Sequence, residues 1–104
     1  MVKLNNRKLK MLRKMAHPLK PVAQIGKQGL TEAVLDSLYK ACNRQELIKV
    51  SVLNNCEATA EELAVELRAN SPMAPVQVIG HTIVLYMPAE DQKNQKITKQ
   101  LKEG

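Results

Sequence analysis

Aromatic side chains are almost missing from this chain: tyrosine accounts for the whole 2% aromatic content, and tryptophan and phenylalanine are absent. The two tyrosines, Tyr39 and Tyr86, are too few to dominate a hydrophobic core. Hydrophobic residues still make up 44% of the 104 residues, which excludes a chain that is disordered throughout. A chain of this length fits one domain. We therefore expect a single domain with an aliphatic core.

Cysteines with metal-ligand spacing are also missing. Cys42 and Cys56 form no CxxC motif and have no suitably spaced histidines, so we expect no zinc site, no disulfide framework and no cofactor. Cys42 falls on the apolar side of a predicted helix and is expected in the core, whereas Cys56 falls in a loop without an assignable role. No secretory region and no segment of about 20 apolar residues occurs. We expect a soluble, cytoplasmic protein.

Acidic residues are absent from the first 30 positions, which carry eight basic residues. Residues 57–66 show the opposite pattern, with four acids and no base. The net charge of +6 is therefore unevenly distributed, which favours an oriented nucleic-acid surface over general adhesion to polyanions. The basic residues are Lys3, Arg7, Lys8, Lys10, Arg13, Lys14, Lys20 and Lys27, and the acids are Glu57, Glu61, Glu62 and Glu66.

A four-residue loop, Gly26-Lys27-Gln28-Gly29, lies between an apolar stretch and the helix-start signal Leu30-Thr31-Glu32. A glycine at each end permits a sharp turn and brings bare amide groups close to a ligand. The helix that follows directs its unpaired N–H groups and its positive dipole end at the same place, which suits an anion. GxxG is a common pattern in surface turns, but its basic surroundings favour a phosphate-binding loop.

The hydrophobic pattern predicts alternating helices and strands. Asn5 and Thr31 are predicted helix caps, and residues 59–62 match a capping box. In the first helix Arg7, Lys10, Arg13 and Lys14 fall opposite the apolar side. The strand over 47–53 alternates apolar and polar residues, which predicts one apolar sheet face. The predicted helices are 6–16, 32–43 and 60–69, and the predicted strands are 22–25, 47–53, 76–79 and 83–86.

The order α-β-α-β-α-β-β predicts an α/β domain with a four-stranded mixed sheet and helices packed on it. The first two strands, bridged by a helix, should be parallel, and the last two should form an antiparallel hairpin. Residues 1–88 form this domain in our interpretation. Residues 89–104 are polar with four lysines, and we expect a basic, mobile tail that contributes little to stability.

Five segments together resemble the CRM domain (chloroplast RNA splicing and ribosome maturation), and the chain is most similar to its stand-alone bacterial version, the YhbY-like RNA-binding proteins. The resemblance covers residues 4–88. It implies a topology like that of the C-terminal domain of bacterial initiation factor three, and a role with precursors of the large ribosomal subunit. The segments are AHPLKPV (16–22), IGKQGLT (25–31), ELIKV (46–50), VQVIG (76–80) and LY (85–86).

Two departures from the family pattern stand out. Met87 occupies a position where the family commonly has a basic residue, which removes one possible RNA contact. Asn70-Ser71-Pro72 replaces a helix-ending glycine, which should affect only a loop. On the matching positions, the resemblance implies that the GxxG loop and the neighbouring basic helix contact RNA.

With so few aromatic residues, base stacking cannot dominate RNA binding, and we expect both tyrosines to be partly buried. Recognition should rest on backbone phosphates, 2′-hydroxyls and shape, and the expected partner is RNA, specifically ribosomal RNA in large-subunit precursors. The predicted RNA-binding residues are Gly26, Lys27, Gln28, Gly29, Thr31, Arg7, Lys10, Arg13, Lys14, Lys20 and Lys49.

Other classes of function fit less well. No catalytic constellation is visible, since His17 precedes a proline and His81 falls in a turn, so we expect neither an enzyme nor a small-molecule substrate. The basic first helix is short and lacks tryptophan or phenylalanine for insertion into a membrane. A transit peptide is disfavoured because the first serine is Ser37 and residues 9–25 belong to the fold. The alternative is a protein-interaction module on the ribosome or splicing machinery; the oligomeric state stays open.

Overall fold

Four α-helices and four strands form within residues 4–103, the part of the chain that the computed structural model describes. Two residues of the sequence predictions lie outside the described residues: Lys3, the first of the predicted basic residues, and Gly104, the last residue of the predicted tail. A short 3-10 helix precedes the last α-helix. The elements are α1 (Asn6–Ala16), β1 (Pro21–Ile25), α2 (Glu32–Gln45), β2 (Leu47–Val52), α3 (Ala60–Asn70), β3 (Ala74–Ile79), β4 (Thr82–Tyr86), the 3-10 helix (Gln92–Asn94) and α4 (Lys96–Glu103).

The four strands form one mixed sheet in the order β1-β2-β4-β3. β1 and β2 are parallel and joined through α2, while β4 is antiparallel to both β2 and β3. The predicted fold class is therefore confirmed. β3 begins two residues earlier than predicted, because Pro75 lies at a bulge of an edge strand, where a missing N–H donor is tolerated.

The predicted caps form. The side chain of Asn5 accepts from the Lys8 amide at 2.9 Å, and the Thr31 hydroxyl accepts from the Val34 amide at 3.2 Å. Thr59 and Glu62 make the reciprocal bonds of a capping box at the start of α3. Each such cap contributes about 1 kcal/mol and sets the first residue of its helix.

One face of the sheet, which we call the sealed face, is covered by α2 and α3. Its core is aliphatic and includes Ile25, Ile48, Val50 and Leu85, all at most 1% exposed. Cys42 on α2 lies in the same core, as its predicted position on the apolar side of the helix implies, and burial raises the pKa of its thiol to about 12. α2 and α3 leave little of this face accessible to solvent.

The opposite face, which we call the half-open face, has a second hydrophobic core. It is built around Leu12 and Ala16 of α1 and around Leu47, Val84 and Tyr86 of the sheet. The apolar face predicted from the alternation of β2 is the sealed one, but the other face is partly apolar as well: Leu47 is the first residue of β2 and points away from Ile48, yet it is only 2% exposed. Tyr86 is 1% exposed, more deeply buried than expected.

The C-terminal segment differs from the expected mobile tail. Residues 96–103 form α4, and Leu101 and Thr98 are buried against the half-open face at 5% and 8% exposure. Ile97 packs partly on the same core. The three residues lie on one side of the helix, and their apolar contacts fix the segment to the domain.

A buried glutamate, Glu46, holds this segment in place. Its carboxylate accepts hydrogen bonds from the amides of Ile97 at 2.8 Å and Thr98 at 3.1 Å, in the first turn of α4, and from the amide of Ala89 at 3.0 Å. The Thr98 hydroxyl also donates to the carboxylate and pairs with the Tyr86 hydroxyl at 2.7 Å. Negative charge at a helix N-terminus is favourable, so Glu46, which is not part of α4, stabilises that helix.

Candidate nucleic-acid interface

The cationic side of α1 faces solvent. Burial of Leu12 and Ala16 fixes the rotation of the helix about its axis, and Arg7, Lys10, Arg13 and Lys14 are exposed as a result. These four cations form the exposed basic side of the helix that the sequence predicts, and we call it the basic stripe. Because α1 lies on the half-open face, this charge borders the uncovered part of the sheet.

A cleft of about 460 Å³ separates the end of α1 from the sheet; we call it the basic cleft. Its lining combines three basic side chains, two from α1 and one from β2, with a histidine and two residues of β3. Register brings them together, since Lys49 on β2 and Gln77 on β3 both pair with Val84 of β4. The lining residues are Arg13, Lys14, His17, Lys49, Gln77 and Ile79.

Two of the cleft cations also support the fold. Arg13 donates from Nε to the backbone oxygen of Val76 at 3.2 Å, at the bulge of β3. Lys49 donates from Nζ to the backbone oxygen of His17 at 3.2 Å, at the C-terminal end of α1 where a cation is favourable. Each keeps further N–H groups for a ligand, since a guanidinium has five donors and an ammonium three.

No acidic side chain lines the basic cleft. Within residues 4–103, the ion pairs are Lys40 with Asp36 at 2.9 Å and Lys93 with Asp91 at 3.5 Å, and neither includes a cleft residue. The positive charges of Arg13, Lys14 and Lys49 are therefore locally uncompensated. Such an arrangement attracts phosphate groups and concentrates them in the cleft.

The glycine loop turns at the far end of β1. The Gly29 amide donates to the Gly26 oxygen at 2.9 Å, and Gly29 has a φ of 68°, which a residue with a side chain rarely adopts. Gly26 is different, because a Cβ there would lie 3.6 Å from Leu53, an ordinary contact. Lys27 and Gln28 are exposed at the tip. The backbone therefore favours a glycine at 29, where a side chain would be strained, and tolerates a Cβ at 26.

The predicted site residues fall into two groups. Lys20 and Lys49 lie with the basic cleft near the start of β1, whereas the loop and Thr31 follow its end. The five residues of β1 separate the groups by roughly 15 Å. Thr31 uses its hydroxyl to cap α2. The structure thus presents two basic patches joined by the half-open face.

Sequence reasoning missed Gln77 and Ile79 as cleft residues. The alternation of β3 places them on the side opposite Val78, which packs with the sealed-face core, but the strand register was needed to bring them beside Lys49. The interpretation of Met87 is also corrected. Met87 is 5% exposed within the sealed-face core, so this position lies away from the surface.

The arrangement defines a small α/β domain with a cationic helix, a basic cleft and a glycine turn. The CRS1/YhbY (CRM) domain model matches residues 4–87, and the chain belongs to this family. It is 40% identical over 90 residues to the probable RNA-binding protein YqeI of Bacillus subtilis, covering 86% of this chain and 94% of that protein. An RNA-binding protein of Haemophilus influenzae is 39% identical over 95 residues, covering 91% and 96%.

A solved structure has the same fold. The solution structure of a hypothetical protein of Staphylococcus aureus, described as a candidate RNA-binding protein, superimposes with a TM-score of 0.73 at 35% identity. The match covers 90% of this chain and 98% of that one. Within residues 4–103, no helix is long and apolar enough to cross a membrane, and no group of three histidine, cysteine or acidic side chains is placed to hold a metal ion.

Proposed function

We propose that this protein binds structured RNA in the cytoplasm, mainly through the phosphate backbone, and acts in the assembly of the large ribosomal subunit. The observation that carries the proposal is the basic cleft, where Arg13, Lys14 and Lys49 converge without a neighbouring acid. The names of the relatives from B. subtilis and H. influenzae support RNA as the partner. The ribosomal target rests on the family resemblance.

In this proposal the two basic patches bind phosphates in different ways. The cleft supplies long cationic side chains, together with Arg7, Lys10 and Lys20 nearby. The GKQG loop supplies backbone amides, the N-terminal end of α2 and the mobile charge of Lys27. These contacts carry no sequence information, so they suit a partner recognised by shape. The protein acts by binding, without catalysing a reaction.

Charge reversal on α1 tests the cationic helix together with the cleft at its end. Lys10 and Lys14 are suitable because both are exposed, whereas Arg13 also bonds to β3. We expect Lys10→Glu combined with Lys14→Glu to weaken binding to a structured ribosomal RNA fragment by about 100-fold in low salt. The matched control is Lys40→Glu with Arg44→Glu on α2, which changes the net charge equally on the sealed-face side. Equal losses in the two pairs would contradict a defined site.

The loop is tested by the same titration. Lys27→Asp with Gln28→Asp leaves the core untouched and should weaken binding about tenfold or more, because it places negative charge at the start of α2. Gly26→Ala keeps the fold and reports whether a ligand needs close approach to the backbone. Unchanged affinity in both folded variants removes the loop from the site. Association with ribosomal precursors that survives nuclease treatment would instead indicate a protein partner.

A further inference from the structure

The uncovered part of the half-open face has the geometry of a platform for unpaired nucleotides. We propose that it binds the bases of single-stranded segments of RNA, which gives the protein a preference for unpaired over fully double-stranded RNA. This inference rests on the proposed function and extends it, since the cleft and the loop explain phosphate contacts only. Paired and unpaired RNA both carry backbone phosphates, so phosphate contacts alone give no preference between them.

The strand register aligns one residue from every strand in a row across this face. Gln24 of β1 pairs with Ser51 of β2, and Ser51 pairs with Thr82 of β4. Thr82 in turn pairs with Ile79 of β3. With strands about 4.8 Å apart, the row is about 14 Å long. It begins on the strand that leads to the GKQG loop and ends at Ile79, which also lines the basic cleft.

Apolar surface is exposed on the same side. Val22 is 48% exposed and Ile79 53% exposed, and they lie on the two edge strands β1 and β3. Ala23 and Ile25 pack into the sealed-face core, so Gln24 between them faces the half-open side. Val22 lies at the register shift of β1, next to Pro21, which pairs with Lys49 of the half-open face. Aliphatic side chains at both edges give unstacked bases a flat apolar contact in the absence of aromatic rings.

The polar side chains of the row have groups that match nucleotides. Gln24 is exposed, and Ser51 and Thr82 are half-buried. At the uncovered part of this face, the side-chain hydrogen bonds within residues 4–103 come from Arg13 and Lys49, which leaves the Gln24 amide and the two hydroxyls for a ligand. Amide and hydroxyl groups both donate and accept, as base edges and 2′-hydroxyls do.

Charge complementarity identifies the occupant. The face is bordered by Arg13, Lys14 and Lys49 at the cleft, and Lys27 lies at the loop beyond the far end of β1. A strand of RNA that crosses the sheet would place phosphates at both ends and bases over the row between them. In a duplex the bases are paired and stacked inside the helix, out of reach of a flat sheet surface. An apolar peptide would make no use of the basic borders.

The test compares two RNA probes: a mixed-sequence single-stranded oligonucleotide of 12 nucleotides and a duplex of the same length. We expect Val22→Ser, which leaves the cleft residue Ile79 unchanged, to weaken single-strand binding by about threefold and to leave duplex binding unchanged. The dependence of affinity on salt should stay the same, because apolar contacts release no counterions. Val65→Ser is the matched control, since Val65 on α3 is 65% exposed on the other side of the molecule.

A second variant guards against a local folding defect. Gln24→Ala with Ser51→Ala keeps the apolar pair, and we expect it to weaken single-strand binding several-fold with duplex binding unchanged; circular dichroism verifies the fold of each variant. Wild-type affinity for the single strand in both variants overturns this inference, and so does an equal loss for both probes. If the Lys10→Glu, Lys14→Glu pair still weakens binding in either case, the proposed function survives. If the wild-type protein binds the structured ribosomal RNA fragment but not the single-stranded probe, this inference alone is rejected; failure to bind the fragment as well would reject both.

Discussion

The two faces of the sheet differ in how completely they are covered and in what they bury. The sealed face packs aliphatic side chains under α2 and α3, and every strand contributes to its core. The half-open face buries a carboxylate and two hydroxyls beside a smaller apolar core, and it leaves Val22 and Ile79 exposed. The fold thus places the larger hydrophobic core on one face and leaves part of the other face exposed.

Charge follows the same division. α3, on the sealed side, exposes Glu61, Glu62 and Glu66, whereas α1, on the half-open side, exposes the basic stripe. Exposed lysines of α4 add positive charge beside the second core: Lys96, Lys99 and Lys102. A polyanion is therefore attracted to one side of the sheet and repelled from the other, which orients it before any specific contact forms.

The largest effect on stability should come from the sealed face. Ile48 is 1% exposed at the centre of its core, and Ile48→Ala removes apolar contacts and leaves a cavity. We expect the free energy of unfolding to fall by about 3 kcal/mol. Urea denaturation measures it, and the exposed substitution Val65→Ser should stay within about 0.5 kcal/mol. Similar losses from the two variants would mean that the sealed face is not the main source of stability.

A smaller effect is expected at the buried carboxylate. Glu46→Ala leaves the amides of Ala89, Ile97 and Thr98 without their acceptor. We expect a loss of about 2 kcal/mol. The loss is limited because residues 89–103 can detach and become hydrated while the sealed face stays folded. Hydrogen exchange should show protection lost in α4 and retained in β2.

Deletion of residues 89–104 gives the matched comparison for Glu46→Ala. A mobile tail would be removed without loss of stability, whereas removal of a packed α4 uncovers Leu47 and Tyr86 and should also cost about 2 kcal/mol. If the deletion leaves stability unchanged and Glu46→Ala leaves hydrogen exchange unchanged, the segment is a mobile tail, as predicted from the sequence.

The smallest effect concerns alkaline pH. The buried Cys42 thiol keeps its proton because burial raises its pKa from 9.0 to about 12, whereas in the unfolded chain the thiol ionises near pH 9. The folded state then binds more protons, so stability falls as the pH rises above 9, by about 1 kcal/mol at pH 10. Cys42→Ala should reduce this loss when unfolding is measured at pH 8 and pH 10. An equal pH dependence in the variant would contradict the raised pKa.

Thiol labelling provides an independent check on the same group. Cys42 is 0% exposed and Cys56 is half-buried. At pH 8 the folded protein should react rapidly at Cys56 and slowly at Cys42, since the thiolate is the reactive form. Both should react at similar rates in denaturant, which controls for the chemistry of the reagent.

Local sequence was sufficient for much of the framework. The caps at Asn5, Thr31 and Thr59 form because their side chains bond to amides only three residues away. The order of helices and strands followed from the spacing of hydrophobic residues along the chain. The mixed sheet followed from that order and from the short connections. The basic surface of α1 was also predictable, because an amphipathic helix exposes its polar side once its apolar side is buried.

The C-terminal segment was not predictable in the same way. Its polar composition suggested a tail, since only Ile97 and Leu101 appeared able to pack. The partner of this segment is Glu46, 51 positions before Ile97, with a φ of 64° at the junction of α2 and β2. No local pattern marks a glutamate that will be buried, because its burial becomes favourable only when the donors of a distant helix surround it.

Sequence by itself determined the first three helices and the four strands, the aliphatic core, the charge of α1 and the glycine turn, because each depends on neighbours within a few residues. Tertiary structure alone decided which distant residues meet. It brought Lys49, Gln77 and Ile79 to the end of α1, aligned Gln24, Ser51 and Thr82 across three strands, and placed α4 on Glu46. Those meetings depend on strand register and on the balance of burial against hydration, which are properties of the assembled sheet and of no single segment.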